Sequence, residues 1–171
     1  YFGESVSSAG DVNGDGYDDV IVGEPEYFNS PSPGNAYIFF GGVAMNNISD
    51  VTLTGEAVND YFGRSVSSAG DVNSDGFDDV ITGARGPGSG RGKAYIFYGG
   101  INMNNTSDVI MIGEAIDNYF GTSVSSAGDL NGDGFSDVII GADYASMTGK
   151  AYVFFGGAAM NNIVDVTLTG E

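Results

Sequence analysis

The chain has 171 residues, no cysteine and no histidine, and sets 23 Asp and Glu against 5 Lys and Arg for a formal net charge of −18. The two absences remove disulfides, thiol nucleophiles, imidazole bases and the usual zinc ligands, and leave no thiol from which to read a redox compartment. A balance this acidic argues against nucleic acid, whose affinity rests on Lys and Arg at phosphates, and against anionic membrane surfaces.

Length suggests one domain with a sizeable core. The 29 glycines, with frequent Val, Ile, Ser, Tyr and Phe, are the composition of short strands joined by tight turns. No apolar run approaches the roughly 18 residues that span a bilayer, so membrane insertion is not expected. No signal-peptide pattern opens the chain, and Tyr1 falls inside a repeat, as in a mature product or an excised fragment.

In chain order, Tyr1-Phe2-Gly3 leads into a first strand around Ser5–Gly10, where Val alternates with small residues. An acidic loop follows from Asp11. The second strand, Asp19–Gly23, is apolar on both faces and reads as central. The segment Glu24–Asn35 is rich in Pro, Gly and Ser and reads as a loop. A third strand with alternating aromatics lies around Ala36–Phe40, and a fourth, with alternating Thr, at Val51–Thr54.

The pattern then recurs. Tyr61-Phe62-Gly63 and Tyr119-Phe120-Gly121 reopen it, each followed by an unchanged Ser-Val-Ser-Ser-Ala-Gly-Asp, so the repeats are 1–60, 61–118 and 119–171. Over the first 23 residues, repeats one and two differ only at Glu4/Arg64, Gly14/Ser74, Tyr17/Phe77 and Val22/Thr82. Variation collects in Glu24–Asn35, Ala84–Lys93 and Ala142–Lys150, which are therefore the segments able to hold specificity. The pattern predicts an all-β chain of three four-stranded antiparallel repeats as β-propeller blades. A β-solenoid or a row of small sandwiches would share the composition.

The acidic loop reads Asp11-x-Asn13-x-Asp15-Gly16-Tyr17-x-Asp19. It places side-chain oxygens at positions 1, 3, 5 and 9, Gly at the sharp turn and a backbone carbonyl at 7. Ca2+ takes six to eight hard oxygens from a wrapping loop, whereas Mg2+ keeps more water, so calcium is favoured. The other copies are Asp71, Asn73, Asp75, Phe77 and Asp79, and Asp129, Asn131, Asp133, Phe135 and Asp137. An EF-hand needs a Glu at position 12 and flanking helices; here Val22, Thr82 or Ile140 stands there and strands flank. Asp18 and Asp78 become Ser136 in the third repeat, which marks position 8 as a non-ligand. An Asx-turn that binds nothing is the bland reading of one loop; three copies with the same oxygens favour three calcium ions. At two charges each, these would bring the net charge from −18 to −12. Without disulfides, that calcium reads as structural.

Phe2-Gly3, the loop and Gly23-Glu24-Pro25 together resemble the FG-GAP repeat of integrin α-chain head domains, over essentially the whole chain. The resemblance implies blades of a seven-bladed propeller and calcium loops between the first and second strands, on the face away from the ligand. It also implies that Asp11, Asn13, Asp15, the Tyr17 carbonyl and Asp19, with their counterparts, are the ligands. The GAP element departs from the pattern as Gly23-Glu24-Pro25, Gly83-Ala84-Arg85 and Gly141-Ala142-Asp143. Three blades are also fewer than the roughly four to eight of closed propellers. Self-association of two chains into a six-bladed ring is expected, with neighbouring repeats of a longer or engineered array as the other way to complete it.

Other patterns carry less. The run "GPGSGRGK" has Pro87 where a phosphate loop needs Gly, and Ala94 after the Lys. Ser5, Ser7 and Ser8 have no histidine partner and read as small-residue packing near the axis. Tyr37, Phe39, Tyr95, Phe97, Tyr152 and Phe154, with Tyr1, Tyr61 and Tyr119, read as inter-blade core rather than a sugar platform. Sequons at Asn47, Asn104 and Asn105 hint at export. No enzyme constellation is present. The sequence therefore points to a non-catalytic, extracellular or cell-surface adhesion or recognition module with a protein or glycan ligand, and a lectin-like propeller is the alternative.

Overall fold

Each repeat's first strand ends in Gly-Asp, and that glycine bends the ladder before the acidic loop begins. Ser8 pairs with Val20 but Gly10 with Asp19, a register shift that Gly10 absorbs at φ 75°. Gly70 and Gly128 repeat the device at φ 71° and 66°. The bulge aims the loop out of the sheet while the following strand returns directly into it.

The computed structural model describes residues 1–27, 31–86 and 90–171. Among these, twelve strands form three four-stranded antiparallel sheets whose strands neighbour one another in chain order. The first holds β1 (Ser5–Gly10), β2 (Asp19–Glu24), β3 (Asn35–Phe39) and β4 (Val51–Thr54). The second holds β5 (Phe62–Gly70), β6 (Asp79–Ala84), β7 (Lys93–Phe97) and β8 (Val109–Ile112). The third holds β9 (Phe120–Gly128), β10 (Asp137–Ala142), β11 (Lys150–Phe154) and β12 (Val166–Thr169), with one 3-10 turn at Ala145–Met147. These are the expected blades, and the row of three does not close into a ring. Phe28, Asn29 and Ser30 of the first variable loop, and Pro87, Gly88 and Ser89 of the second, lie outside the described residues. Among the described residues no helix is long and apolar enough to cross a membrane.

β5 packs across β1 and β2, and β9 packs across β5 and β6. Two core clusters fill the seams. Ile21, Ile38, Leu53, Phe62, Tyr95 and Phe97 share the first, and Ile81, Ile96, Met111, Phe120, Tyr152 and Phe154 share the second. The Phe62 ring sits 5.3 Å from Tyr95 and 6.1 Å from Phe97, nearly edge-on to both. Phe120 repeats this on Tyr152 and Phe154 at 5.4 and 6.2 Å. The aromatic alternation of the third strands thus serves the seams between blades.

Backbone closeness in the seams needs glycine. A Cβ on Gly23 would lie 2.1 Å from the Gly63 carbonyl oxygen, and one on Gly83 would lie 2.1 Å from that of Gly121. The serines do more than pack: the Ser5 hydroxyl donates to the Gly63 carbonyl at 2.8 Å, and Ser65 donates to Gly121 at 3.0 Å. The first strands of the first two repeats are therefore bonded to the next repeat. Surface ion pairs also cross the seams, Arg64 with Glu4 at 3.1 Å and Lys150 with Glu114 at 2.8 Å, and half-exposed pairs of this kind add little.

Thr82, in the centre of β6, is fully buried, and its hydroxyl has no hydrogen-bond partner among the described residues. Val22 and Ile140 occupy the equivalent place in β2 and β10. Thr82→Val keeps the shape and removes the unmet polar group. It is expected to stabilise by about 1 kcal/mol, raising the melting temperature by roughly 2–4 °C. A calorimetric melt of the two proteins checks it.

Candidate metal centres

The three loops fold on their own aspartates. Asp11 Oδ1 accepts the amides of Gly14 and Asp15 at 2.8 and 3.1 Å, and Oδ2 accepts that of Gly16 at 2.9 Å. Asn13 Oδ1 accepts the Asp15 amide at 2.8 Å, and its Nδ2 donates to Asp15 Oδ2 at 3.2 Å. Asp15 Oδ1 accepts the Tyr17 amide at 3.0 Å. Positions 1, 3 and 5 are thereby drawn to one side of the turn.

The other loops copy this. Asp71 accepts Asp75 and Gly76, Asn73 pairs with Asp75, and Asp75 accepts the Phe77 amide. Asp129 accepts Gly132, Asp133 and Gly134, Asn131 pairs with Asp133, and Asp133 accepts the Phe135 amide. The Gly134 amide first, then those of Gly132 and Asp133, hold the Asp129 carboxyl below its ordinary range.

Position 9 is used differently. Asp19 is fully buried and accepts the Val12 amide at 3.0 Å and the Gly41 amide at 2.7 Å. Asp79 does the same for Val72 and Gly99, and Asp137 for Leu130 and Gly156. This aspartate ties the loop to the end of its blade's third strand. Burial raises the Asp19 carboxyl, its two amide bonds lower it, and the charges of Asp15 and Asp11 raise it again. Asp79 is pushed up to about 7, by burial first and then by Asp75 and Asp71 against the bonds from Gly99 and Val72.

Among the described residues, no group of three or more His, Cys, Asp or Glu side chains is gathered closely enough to hold a metal ion. The loop brings together positions 1, 3 and 5, one of which is an asparagine, while the position-9 carboxylate faces backbone amides. The chemistry of the donor set nevertheless fits a hard divalent cation. Every side-chain donor is an oxygen, no Lys or Arg lies in any loop, and in the first two loops the neighbouring carboxylates push the position-9 carboxyl up.

Position 8 has a role that comparison of the repeats hid. The Asp11 amide donates to Asp78 Oδ2 of the next repeat at 2.9 Å, and the Asp78 amide donates to the Asp11 carbonyl at 3.1 Å. Ser136 returns its amide to the Asp71 carbonyl at 3.0 Å, and a Cβ on Gly70 would lie 2.5 Å from its hydroxyl. The residue braces the preceding loop through its amide in both seams and, in the first, through the Asp78 carboxylate as well, while the shorter Ser136 fills the place in the second. Asp78→Ala is expected to cost about 1.5–3 kcal/mol, as for other hydrogen bonds to charged groups, and Asp78→Ser clearly less. Urea unfolding of the two variants tests the order.

The three sequon asparagines, Asn47, Asn104 and Asn105, are exposed. Gly86 and the segment from Gly90 to Lys93 border a cavity of about 240 Å³ that Asp60 and Ile112 also line, and Pro87 lies outside the described residues.

The FG-GAP repeat model matches three times, over residues 2–39, 62–97 and 120–154. The chain is 36% identical to integrin alpha-6 of Gallus gallus over 146 residues, which is 82% of this chain and 13% of that protein. It is 33% identical to integrin alpha-6 of Homo sapiens over 150 residues, or 86% of this chain and 13% of that protein. To integrin alpha-5 of Xenopus laevis it is 34% identical over 154 residues, or 83% of this chain and 15% of that protein. It thus spans only a small part of the length of these relatives. With three matched repeats on three blades, the chain belongs to the FG-GAP repeat family.

Proposed function

We propose that the chain is a non-catalytic, calcium-binding propeller module for adhesion or recognition at a cell surface or outside the cell, with one structural calcium in each blade. Asp11, Asn13, Asp15 and Asp19 would hold the ion in the first blade with the Tyr17 carbonyl. Asp71, Asn73, Asp75, Asp79 and the Phe77 carbonyl would do so in the second, and Asp129, Asn131, Asp133, Asp137 and the Phe135 carbonyl in the third. Bound there, Ca2+ supplies positive charge against three carboxylates. The chain's own part is to preset positions 1, 3 and 5 by amide bonds and to anchor position 9 in the blade.

One observation carries the reading: three loops repeat the same hydrogen bonds on the same oxygens, and in the first two the carboxylates at positions 1 and 5 raise the one at position 9. Free calcium sufficient to fill such loops is an extracellular condition, and the likeness to integrin alpha chains supports the same location and an adhesive role. The ligand is then a protein or a glycan met by the variable loops, and further blades come from a second copy or from neighbouring repeats of a longer chain.

Calorimetric titration with Ca2+ is expected to find about three ions per chain, and two after Asp75→Ala. No heat of binding would refute the calcium reading. Screening on a glycan array separates adhesion from the lectin-like reading, which strong selective glycan binding would favour.

A further inference from the structure

The candidate metal loops touch one another, and they touch through their donors. In the first seam Asp78 stands between Phe77 and Asp79, two of the donors proposed for its own loop. Its amide donates to the Asp11 carbonyl at 3.1 Å, and its carboxylate accepts the Asp11 amide at 2.9 Å. The first donor of one loop is thus gripped on both sides by the residue between two donors of the next. A second link runs beside it. The Gly99 amide donates to Asp79 Oδ1 at 2.9 Å, and the following amide, of Gly100, donates to the Val12 carbonyl at 2.7 Å. Val12 adjoins Asp11 and is fully buried.

The second seam keeps this plan with one bond changed. Ser136, between Phe135 and Asp137, donates its amide to the Asp71 carbonyl at 3.0 Å, but brings no carboxylate to the Asp71 amide. Gly156 and Gly157 bond Asp137 Oδ1 and the Val72 carbonyl at 2.9 and 2.8 Å, and the Ser74 hydroxyl donates to the Gly134 carbonyl at 3.2 Å. Neither seam has slack. A Cβ on Gly99 would lie 2.3 Å from the Asp78 carbonyl oxygen and 2.8 Å from that of Val12. One on Gly156 would lie 2.3 Å from Ser136 and 2.8 Å from Val72 in the same way. Positions 7 to 9 of one loop therefore cannot shift without moving positions 1 and 2 of the loop before it.

We infer that calcium binding is coupled between neighbouring loops, with Asp78 as the positioning residue across the first seam. The coupling rests on the calcium reading of the proposed function and turns three separate sites into a linked row. A loop that binds must hold Asp11, Asn13 and Asp15 in one arrangement, and that ordering costs free energy. Once Phe77 and Asp79 are fixed as donors of the second loop, Asp78 is fixed between them and holds Asp11 at both amide and carbonyl. The first loop then has less left to order, so its affinity rises. Linkage makes the effect mutual: Asp11 fixed as a donor holds Asp78 in turn. Repulsion between two bound cations opposes this, but salt screens exposed charges over about 8–10 Å. The Asp78 carboxylate, itself not a donor, also leaves a negative charge where the loops meet. A coupling of about fivefold is expected across the first seam, at the low end for distinct sites. Across the second, where Ser136 supplies only its amide at this place, it is smaller.

Calorimetric titration of residues 1–171 with Ca2+ tests this. Asp133→Ala disables the third loop and leaves a pair. Adding Asp75→Ala leaves the first loop alone, and adding Asp15→Ala instead leaves the second alone. All three positions are exposed, and an unchanged circular dichroism spectrum reports that each variant folds. The pair is expected to bind its two ions with an overall constant about fivefold above the product of the two single-loop constants. With Asp78→Ala added to the pair and to both single-loop proteins, the excess is expected to vanish. Asp78→Asn keeps an oxygen for the Asp11 amide and should restore most of it. A merely structural brace would weaken the single loops and the pair alike, leaving the excess untouched, and that result overturns the inference. A pair constant equal to the product in the Asp133→Ala protein overturns it as well, while leaving the calcium reading intact. Absence of binding heat in every variant sinks both.

Discussion

Replacing calcium with EDTA is expected to lower the melting temperature by about 15 °C or more. A ligand at about 100 times its dissociation constant adds roughly 2.7 kcal/mol per site, and three sites together shift a chain of this size by tens of degrees at roughly 2–4 °C per kcal/mol. Coincident melts would sink the calcium reading. The informative variants are at position 5. Asp11 and Asp129 each accept three amides of their own loop, so replacing them would unravel the turn with or without metal. Asp19 and Asp79 are buried on two amides each. Asp15, Asp75 and Asp133 are exposed and accept only the amide two residues on, beside their asparagine partner. Alanine at any one of them should leave the EDTA melt within about 1 kcal/mol of the parent, since surface changes seldom exceed that. The calcium-induced rise should shrink by about a third. A position-5 variant that loses as much stability in EDTA as in calcium would assign the loop a purely structural role.

Local features of the fold were legible and cross-repeat features were not. β1 and β4 run as expected, because alternation and the bounding Gly and Asp are local signals. β3 begins one residue early, at Asn35, because Glu24 pairs with it; it stops at Phe39 because the Phe40 amide turns to Asp50 Oδ2. More telling, near-identical segments give strands of different length. β1 starts at Ser5, whereas β5 and β9 start at Phe62 and Phe120, since a preceding blade holds those residues and none among the described residues holds Phe2. Neighbours decided what the letters could not. The oxygens at positions 1, 3 and 5 were visible from their spacing. The bond from the Asp11 amide to Asp78 was not, because drift at position 8 reads as irrelevance when each repeat is aligned only with itself. The small residues facing Asp78 and Ser136, Gly10 and Gly70, are the one signal that could have exposed it.

The same contrast predicts how the three equivalent phenylalanines should differ. Phe62→Ala is expected to cost about 3–5 kcal/mol, as for other buried Phe, and so to lower the melting temperature by roughly 10 °C or more. Phe62 is fully enclosed by residues of two blades, so its loss leaves a void that rigid strands on both sides cannot fill. Phe120→Ala should match it, because Phe120 occupies the same position in the second seam. In residues 1–171, Phe2 rests on Tyr37 and Phe39 of its own blade and loses no contact to another blade among the described residues. Phe2→Ala in residues 1–171 should cost only about 1 kcal/mol or less. Urea titrations of the three variants at low concentration measure the difference directly. Equal losses at all three positions would mean that the ring's contacts within its own blade, rather than the seam, set its energy. The unequal result would show that one tripeptide contributes little until a neighbouring blade encloses it, which makes seam formation the main source of stability in this open row.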